Sequence, residues 1–223
     1  MGFQTDVLAG DYAEGAARRI LEAFPGGGSF VLTGGTNAER IYPRLAGKRE
    51  WADVTFCFSD ERCVPPDDEN SNYGMAKRLF LDAAGPGAVH RVKGELEPQE
   101  AAAEYRAEIR PFVEHGFDLL LLGMGADAHV GAMFPGSPTL HESATAAVID
   151  RPDGMQGITL TPPAMLSARR VILIVTGDKK AEAVRRAVQG DESPKECPAR
   201  VLADHPDATF LLDEPAASAL QSV

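Results

Sequence analysis

Closely spaced cysteines are missing from this chain. Its three, Cys57, Cys63 and Cys197, form no C-x-x-C pair, so the sequence offers neither a zinc-knuckle nor a dithiol redox motif. Three scattered thiols make no disulfide framework, and a reducing cytoplasmic compartment is the expectation. No His/Cys/Asp group has ligand spacing, so neither a metal nor another cofactor is expected. No run of about 18 apolar residues exists, so no membrane span is expected. The opening residues Met1-Gly2-Phe3-Gln4-Thr5-Asp6 lack a basic region and an apolar run, so no signal peptide is expected. Positive charge is scarce as well. The 22 Lys and Arg stand against 33 Asp and Glu, for a net charge of −11. Such a chain is a poor partner for nucleic acid or an anionic membrane surface. An anionic small substrate would need cations gathered locally. Repeats, low-complexity tracts and Pro/Gly/Ser-rich linkers are also absent, and the expectation is one domain over 1–223.

What is present is an alternation of helical and strand patterns. Ala13, Ala16, Ala17, Ile20, Leu21 and Phe24 have helical spacing over about 9–24, and Pro25 with three glycines stops the run. Short apolar strands are predicted at 29–33, 54–59, 117–122, 171–175 and 209–212, with weaker ones near 145–150 and 157–161. Phe117-Asp118-Leu119-Leu120-Leu121-Leu122 reads as a central strand buried on both faces. Helices are predicted through Ile41, Tyr42 and Leu45, at about 73–83, 98–115 and 179–189, and at the C-terminus. The fold class is therefore α/β, a mostly parallel sheet with helices on both faces. In such folds ligands sit at the C-terminal ends of the strands, which singles out the segments 33–37, 59–72, 122–136 and 176–180.

Each of these segments carries polar chemistry. Gly34-Gly35-Thr36 joins a strand to a helix, and bulk-free backbone N–H groups at a helix N-terminus suit a phosphate. The same residues also suit a plain tight turn with Thr36 as the cap. The Gly-Lys-Ser/Thr ending of a P-loop is missing. Asp60-Glu61-Arg62 ends a strand and enters a long polar loop stiffened by Pro65 and Pro66. Asp60 sits at the strand end, the usual place for a functional carboxylate, and is expected in the substrate-binding site; Arg62 offers a planar fork for an oxyanion, although such charged runs are often only solvated. Asp127 and His129 can form an oriented imidazole, a natural general base near neutral pH. His90, His115, His141 and His205 lie in polar or connecting sequence and are read as surface residues. Lys180, after a Gly177 turn, can reach an anion held by the first segment. Gly123-x-Gly125-x-x-Ala128 matches a dinucleotide fingerprint in letters, with Asp150 as a possible ribose acid. However, Phe134-Pro135-Gly136-Ser137-Pro138 leaves no room for the helix that motif needs.

Taken together, the segments LTGGTNAERIYPRLAG, FSDERCVPPDDENSNYGMAKRLF, FDLLLLGMGADAHVGAMFPGSP, ITLTPPAMLSARRVILIVTGDKKAEAV and FLLDEPAA resemble the 6-phosphogluconolactonase family. That family lies within the group that includes glucosamine-6-phosphate deaminase. The resemblance runs from about residue 30 to the C-terminus. It implies a Rossmann-like three-layer fold of the deaminase/phosphogluconolactonase type. The implied activity is hydrolysis of a phosphorylated sugar lactone, 6-phosphogluconolactone, in the oxidative pentose phosphate pathway. The implied phosphate-binding residues are Gly34, Gly35, Thr36, Arg62 and Lys180. His129 would activate water, and Asp127 would orient or polarise the imidazole. The chain departs from the family pattern in four places. Ala128 replaces a glycine, Val130 and Gly131 replace polar residues, Asn37 replaces a proline, and Gly157 replaces a basic residue. Arg151 or Arg169 is a candidate to replace the last. Phe134-Pro135 stands where the deaminase branch has a glutamate, which favours the lactonase pattern over an isomerase. The alternatives are a related sugar-phosphate isomerase or deaminase-like enzyme, and a non-catalytic sugar-phosphate-binding protein. A monomer or small homo-oligomer is expected.

Overall fold

The computed structural model describes residues 2–221; Met1, Ser222 and Val223, the ends of the expected 1–223 span, lie outside the described residues. The elements run in the order β1 (Gln4–Val7), α1 (Tyr12–Ala23), β2 (Gly28–Leu32), α2 (Thr36–Leu45), β3 (Val54–Phe58), β4 (Asp60–Arg62) and α3 (Asn72–Ala76). A π turn (Lys77–Leu81) leads into α4 (Asp82–Ala84), followed by β5 (Ala88–Val89), α5 (Pro98–His115) and β6 (Leu119–Gly123). Then come β7 (Ala146–Asp150), β8 (Gln156–Leu160), α6 (Pro162–Leu166), β9 (Val171–Val175), α7 (Ala181–Gln189), β10 (Ala208–Leu212) and α8 (Glu214–Ala217). Seven strands pair in parallel in the order β1-β10-β9-β6-β2-β3-β5.

The strand period of two explains the layers. Phe30 and Leu32 of β2, Leu119 and Leu121 of β6, and Ile172 and Ile174 of β9 face one side, against α1, α2 and Phe80 of the π turn. Val31, Leu120, Leu122, Leu173 and Val175 face the other, against α5, α6 and α7. The helical faces match. Ala13, Ala16, Ala17 and Ile20 of α1 are buried, as are Ala101, Ala102, Tyr105 and Ile109 of α5. Helices on both faces of a mostly parallel sheet is the architecture read from the sequence.

Strand order fixes where a ligand can bind. From β2 the chain moves outward through β3 to β5, then returns to place β6 on the other side of β2. The loops leaving β2 and β6 therefore diverge, and a crevice opens between them at the strands' C-terminal ends. Two buried tyrosines hold these ends. Tyr42 Oη donates to the Thr33 carbonyl (2.5 Å) and accepts from Thr33 N–H (3.0 Å). Tyr105 Oη does the same for Phe58, at 2.5 and 2.8 Å. Backbone groups past the last ladder bond would otherwise be buried without partners.

The structure corrects the sequence reading at several elements. Asp60–Arg62 is not loop. It is β4, paired antiparallel with β8, and β8 with β7, in a separate three-stranded sheet. The strands near 145–150 and 157–161 thus belong to this second sheet. The helix expected at about 73–83 begins at Asn72 and passes through the π turn. Gln4–Val7 forms an edge strand that the sequence pattern did not announce. His205 is buried, donating from Nε2 to the Ala168 carbonyl (2.7 Å) and accepting the Asp207 N–H at Nδ1 (3.1 Å), so it is not a surface residue. No helix among the described residues is long and apolar enough to cross a membrane.

Candidate active site

A cavity of about 250 Å³ occupies the crevice between β2 and β6. Gly34, Gly35, Thr36, Asp60, Arg62, His129 and Lys180 all line it, together with Asn37, Asn72 and Arg151. Asp127 does not line it; it reaches the cavity through His129. All eight residues singled out in the sequence therefore converge on one place.

The Gly-Gly turn works by close approach. Gly35, at φ +89°, is the N-cap residue of α2, and Thr36 is the first helical residue. The cap role expected of Thr36 is thus corrected, because no side chain caps α2. The helix presents uncapped N–H groups at the cavity, which is where an anion is favoured. Gly34 has a different reason to lack a side chain. A Cβ there would fall 1.9 Å from Asn72 Oδ1. Asn37 ties the turn to the next loop. Its Nδ2 donates to the Ile174 carbonyl (3.1 Å), and its Oδ1 accepts from Thr176 Oγ1 (2.8 Å).

The acidic segment is a scaffold for one arginine. Glu61 is buried and accepts from the N–H groups of Arg62 (2.9 Å), Asn72 (2.7 Å) and Tyr73 (2.8 Å) and from Ser71 Oγ (3.0 Å). Burial pushes its carboxyl pKa up, and the four hydrogen bonds oppose that push. Asn72, so placed, donates from Nδ2 to the Asp60 carbonyl (2.9 Å) and to Asp60 Oδ2 (3.2 Å). Arg62 Nη1 donates to Asn72 Oδ1 (2.9 Å) and to the Asn70 carbonyl (2.6 Å). Arg62 Nε is buried with no partner among the described residues. A charged donor left in that state is costly unless a ligand completes it.

The imidazole is oriented from behind. His129 Nδ1 lies 2.7 Å from Asp127 Oδ1, and the same oxygen accepts the His129 N–H at 3.2 Å. Nε2 has no partner among the described residues. Phe134 packs against the ring with centroids 4.6 Å apart. Gly125 makes room, since a Cβ there would lie 2.2 Å from His129 Nδ1 and 2.5 Å from Asp127 Oδ1. Ala128 sits at φ +67°, the only non-glycine residue with positive φ among those described. Between Gly123 and Ser137 the chain forms short bridges, Met124 with Val130 and Val130 with Met133, and no helix. The structural context of a dinucleotide fingerprint is absent, as its sequence suggested.

Lys180 ends a 3₁₀ turn (Asp178–Lys180) after Gly177, one residue before α7. Burial, with no charged partner to oppose it, lowers its ammonium pKa. Of the two arginines considered as replacements at Gly157, Arg151 lines the cavity. Arg169 does not: it pairs with Asp118 (2.9 Å) at the opposite end of the sheet. Asn37, Asn72 and Glu61 were not assigned roles from sequence. For Asn37 the signal is tertiary, since its partners Ile174 and Thr176 lie far along the chain, whereas Glu61 and Asn72 act between two neighbouring segments that the loop from 63 to 70 folds together. Among the described residues no three His, Cys, Asp or Glu side chains converge as a metal site.

Comparison with known proteins identifies the family. Residues 4–211 match the family described as glucosamine-6-phosphate isomerases/6-phosphogluconolactonase. The chain is 32% identical over 215 residues to the 6-phosphogluconolactonase of a Synechocystis species, covering 91% of this chain and 90% of that protein. It is 35% identical over 212 residues to the 6-phosphogluconolactonase of Mycobacterium bovis, covering 86% of this chain and 85% of that one. The crystal structure of 6-phosphogluconolactonase from Thermotoga maritima superposes with a TM-score of 0.85 at 25% identity, covering 95% and 99% of the two chains. The protein belongs to the glucosamine-6-phosphate isomerase/6-phosphogluconolactonase family.

Proposed function

We propose that this protein hydrolyses 6-phosphogluconolactone to 6-phosphogluconate, a step of the oxidative pentose phosphate pathway, as a single cytoplasmic domain. The observation that supports this most is one juxtaposition. An Asp127-oriented imidazole faces the same cavity as an uncapped helix N-terminus, a buried unpartnered arginine Nε and an unpaired lysine. A base and an anion cradle share one small volume.

A δ-lactone is an activated ester, so a modest barrier reduction of about 5–8 kcal/mol suffices. The phosphate is held by the N–H groups of Gly34, Gly35 and Thr36 with Lys180 and Arg62. That remote binding fixes the ring and contributes orientation at the reacting carbon. His129 Nε2 takes a proton from water as the water oxygen bonds to C1. Arg62 or loop N–H groups, whichever the phosphate leaves free, stabilise the tetrahedral oxyanion. The intermediate collapses with cleavage of the bond from C1 to the ring oxygen. The imidazolium returns its proton to that oxygen, leaving a carboxylate and a hydroxyl after the acid ionises. Asp127 holds Nδ1 and steadies the charged ring, and Asp60 fixes Asn72 and, through it, Arg62. Phe134 beside the imidazole cannot relay a proton, which argues against an aldose–ketose isomerisation here.

The test is hydrolysis, above the spontaneous rate, of a panel of phosphorylated and unphosphorylated sugar lactones. His129→Ala is expected to lower kcat by about 10²–10⁴ while the fold is retained. Wild-type turnover in that variant would remove the base assignment. A thermal shift with 6-phosphogluconate but no turnover would favour a non-catalytic sugar-phosphate sensor instead.

A further inference from the structure

The cavity contains one more guanidinium than the cradle described above uses. Arg151 opens the turn joining β7 to β8, and its side chain is only 12% exposed. It reaches the cavity by crossing Gly157. A Cβ at 157 would lie 3.3 Å from Arg151 Cδ and 2.7 Å from the Glu61 carbonyl oxygen. Gly157 is also the register partner of Arg62 in the β4–β8 pair. The stem of Arg151 therefore passes over the strand position opposite Arg62, and any side chain at 157 would compete for that path.

The head group is held on one edge. Nε and Nη2 donate to Asp153 Oδ2 at 3.1 and 3.0 Å. Its carbon lies 5.7 Å from the Phe134 ring centroid, and Phe134 in turn packs on His129. Nη1 has no acceptor among the described residues. Asp153 is 40% exposed, so the pair is a surface-type contact of small intrinsic worth. It steers the fork more than it consumes the charge. A guanidinium clamped on one edge and free on the other is arranged for a second, planar contact with an oxyanion.

We propose that Arg151 is a substrate-contacting specificity residue: its free Nη1 edge binds the phosphate beside Arg62, along a path that exists because residue 157 is glycine. This rests on reading the cavity as a sugar-phosphate site and adds a residue that sets its preference for the phosphorylated substrate.

The experiment compares wild type, Arg151→Met and Arg151→Lys. Methionine keeps an aliphatic stem over Gly157, so loss of the charge is separated from loss of packing. The ratio of kcat/KM for 6-phosphogluconolactone to that for unphosphorylated δ-gluconolactone is expected to fall about tenfold or more in Arg151→Met. The loss appears mainly in KM, and Arg151→Lys recovers part of it. An unchanged ratio, or an equal loss on both lactones, overturns the assignment. Calorimetric titration with inorganic phosphate gives a readout independent of turnover. Weaker phosphate binding by Arg151→Met supports the contact even if wild type hydrolyses no lactone, in which case the functional reading alone fails. Equal phosphate affinity in wild type and Arg151→Met overturns the contact.

Discussion

At the scale of single residues, Ala128 is where local chemistry and the site disagree. It holds a left-handed backbone conformation, φ +67°, directly between Asp127 and His129. For an L-residue with a Cβ that conformation costs about 1–2 kcal/mol. The loop keeps it because neighbours fix both sides. Ala128 N–H donates to the Gly125 carbonyl (3.1 Å), and its own carbonyl accepts from Ala199 N–H (2.9 Å). The methyl is fully buried in the core, which returns about 0.8 kcal/mol. Glycine would relieve the strain and lose the methyl, so the two effects nearly cancel. Ala128→Gly is therefore expected to change unfolding free energy by less than about 1 kcal/mol. Ala128→Val, β-branched and overpacked at the same angle, is expected to cost more than about 2 kcal/mol. Chemical denaturation of the two variants measures both. A large gain from glycine would mean the strain is not offset by packing.

At the scale of elements, the anion cradle depends on α2 meeting the β4–α3 segment at backbone distance. Gly34 permits this, since its missing Cβ is the space that Asn72 fills. Gly34→Ala is expected to push Asn72 away and release Arg62 Nη1 and Asp60 together. The expected result is a loss of about 1–3 kcal/mol in stability with a higher KM, read by denaturation and steady-state kinetics on the same sample. A variant with wild-type KM would show that Arg62 does not need Asn72. The sequence alone could not reveal this contact. The apolar strands β2, β3, β6 and β9 were legible because burial on both faces writes a continuous Val/Leu/Ile/Phe run. Gly34, Arg62, His129 and Lys180 were legible because they follow such runs. β4 was not, because Asp60-Glu61-Arg62 has no apolar face and pairs with a strand about a hundred residues away. Edge strand β1, Gln-Thr-Asp-Val, is mostly exposed and carries no core pattern. Asn37 and Glu61 carry no legible role in the sequence because a polar side chain that braces a loop resembles one that is merely solvated.

At the scale of the whole molecule, an acidic protein has to bind a dianion. The net charge is −11, and even beside the cavity the cations Arg62, Arg151 and Lys180 are interleaved with Asp60, Asp127 and Asp153. Those carboxylates cancel much of the local field at a distance, while the ligand still meets N–H groups at contact range. Attraction therefore acts over a few ångströms, and the long-range field opposes approach. Salt separates the two, because the Debye length shrinks from about 30 Å at 0.01 M to about 8 Å at 0.15 M. Screening over that interval removes long-range repulsion more than it weakens partly buried contacts. For an electrostatically steered enzyme kcat/KM would fall with salt. Here kcat/KM for the phosphorylated lactone is expected to stay level or rise slightly, by roughly one to threefold, from 0.01 to 0.15 M salt. The unphosphorylated lactone serves as the reference for effects unrelated to charge. A steep fall specific to the phosphorylated substrate would mean that the mouth of the cavity is positive at long range, and that the cations act as a funnel as well as a clamp.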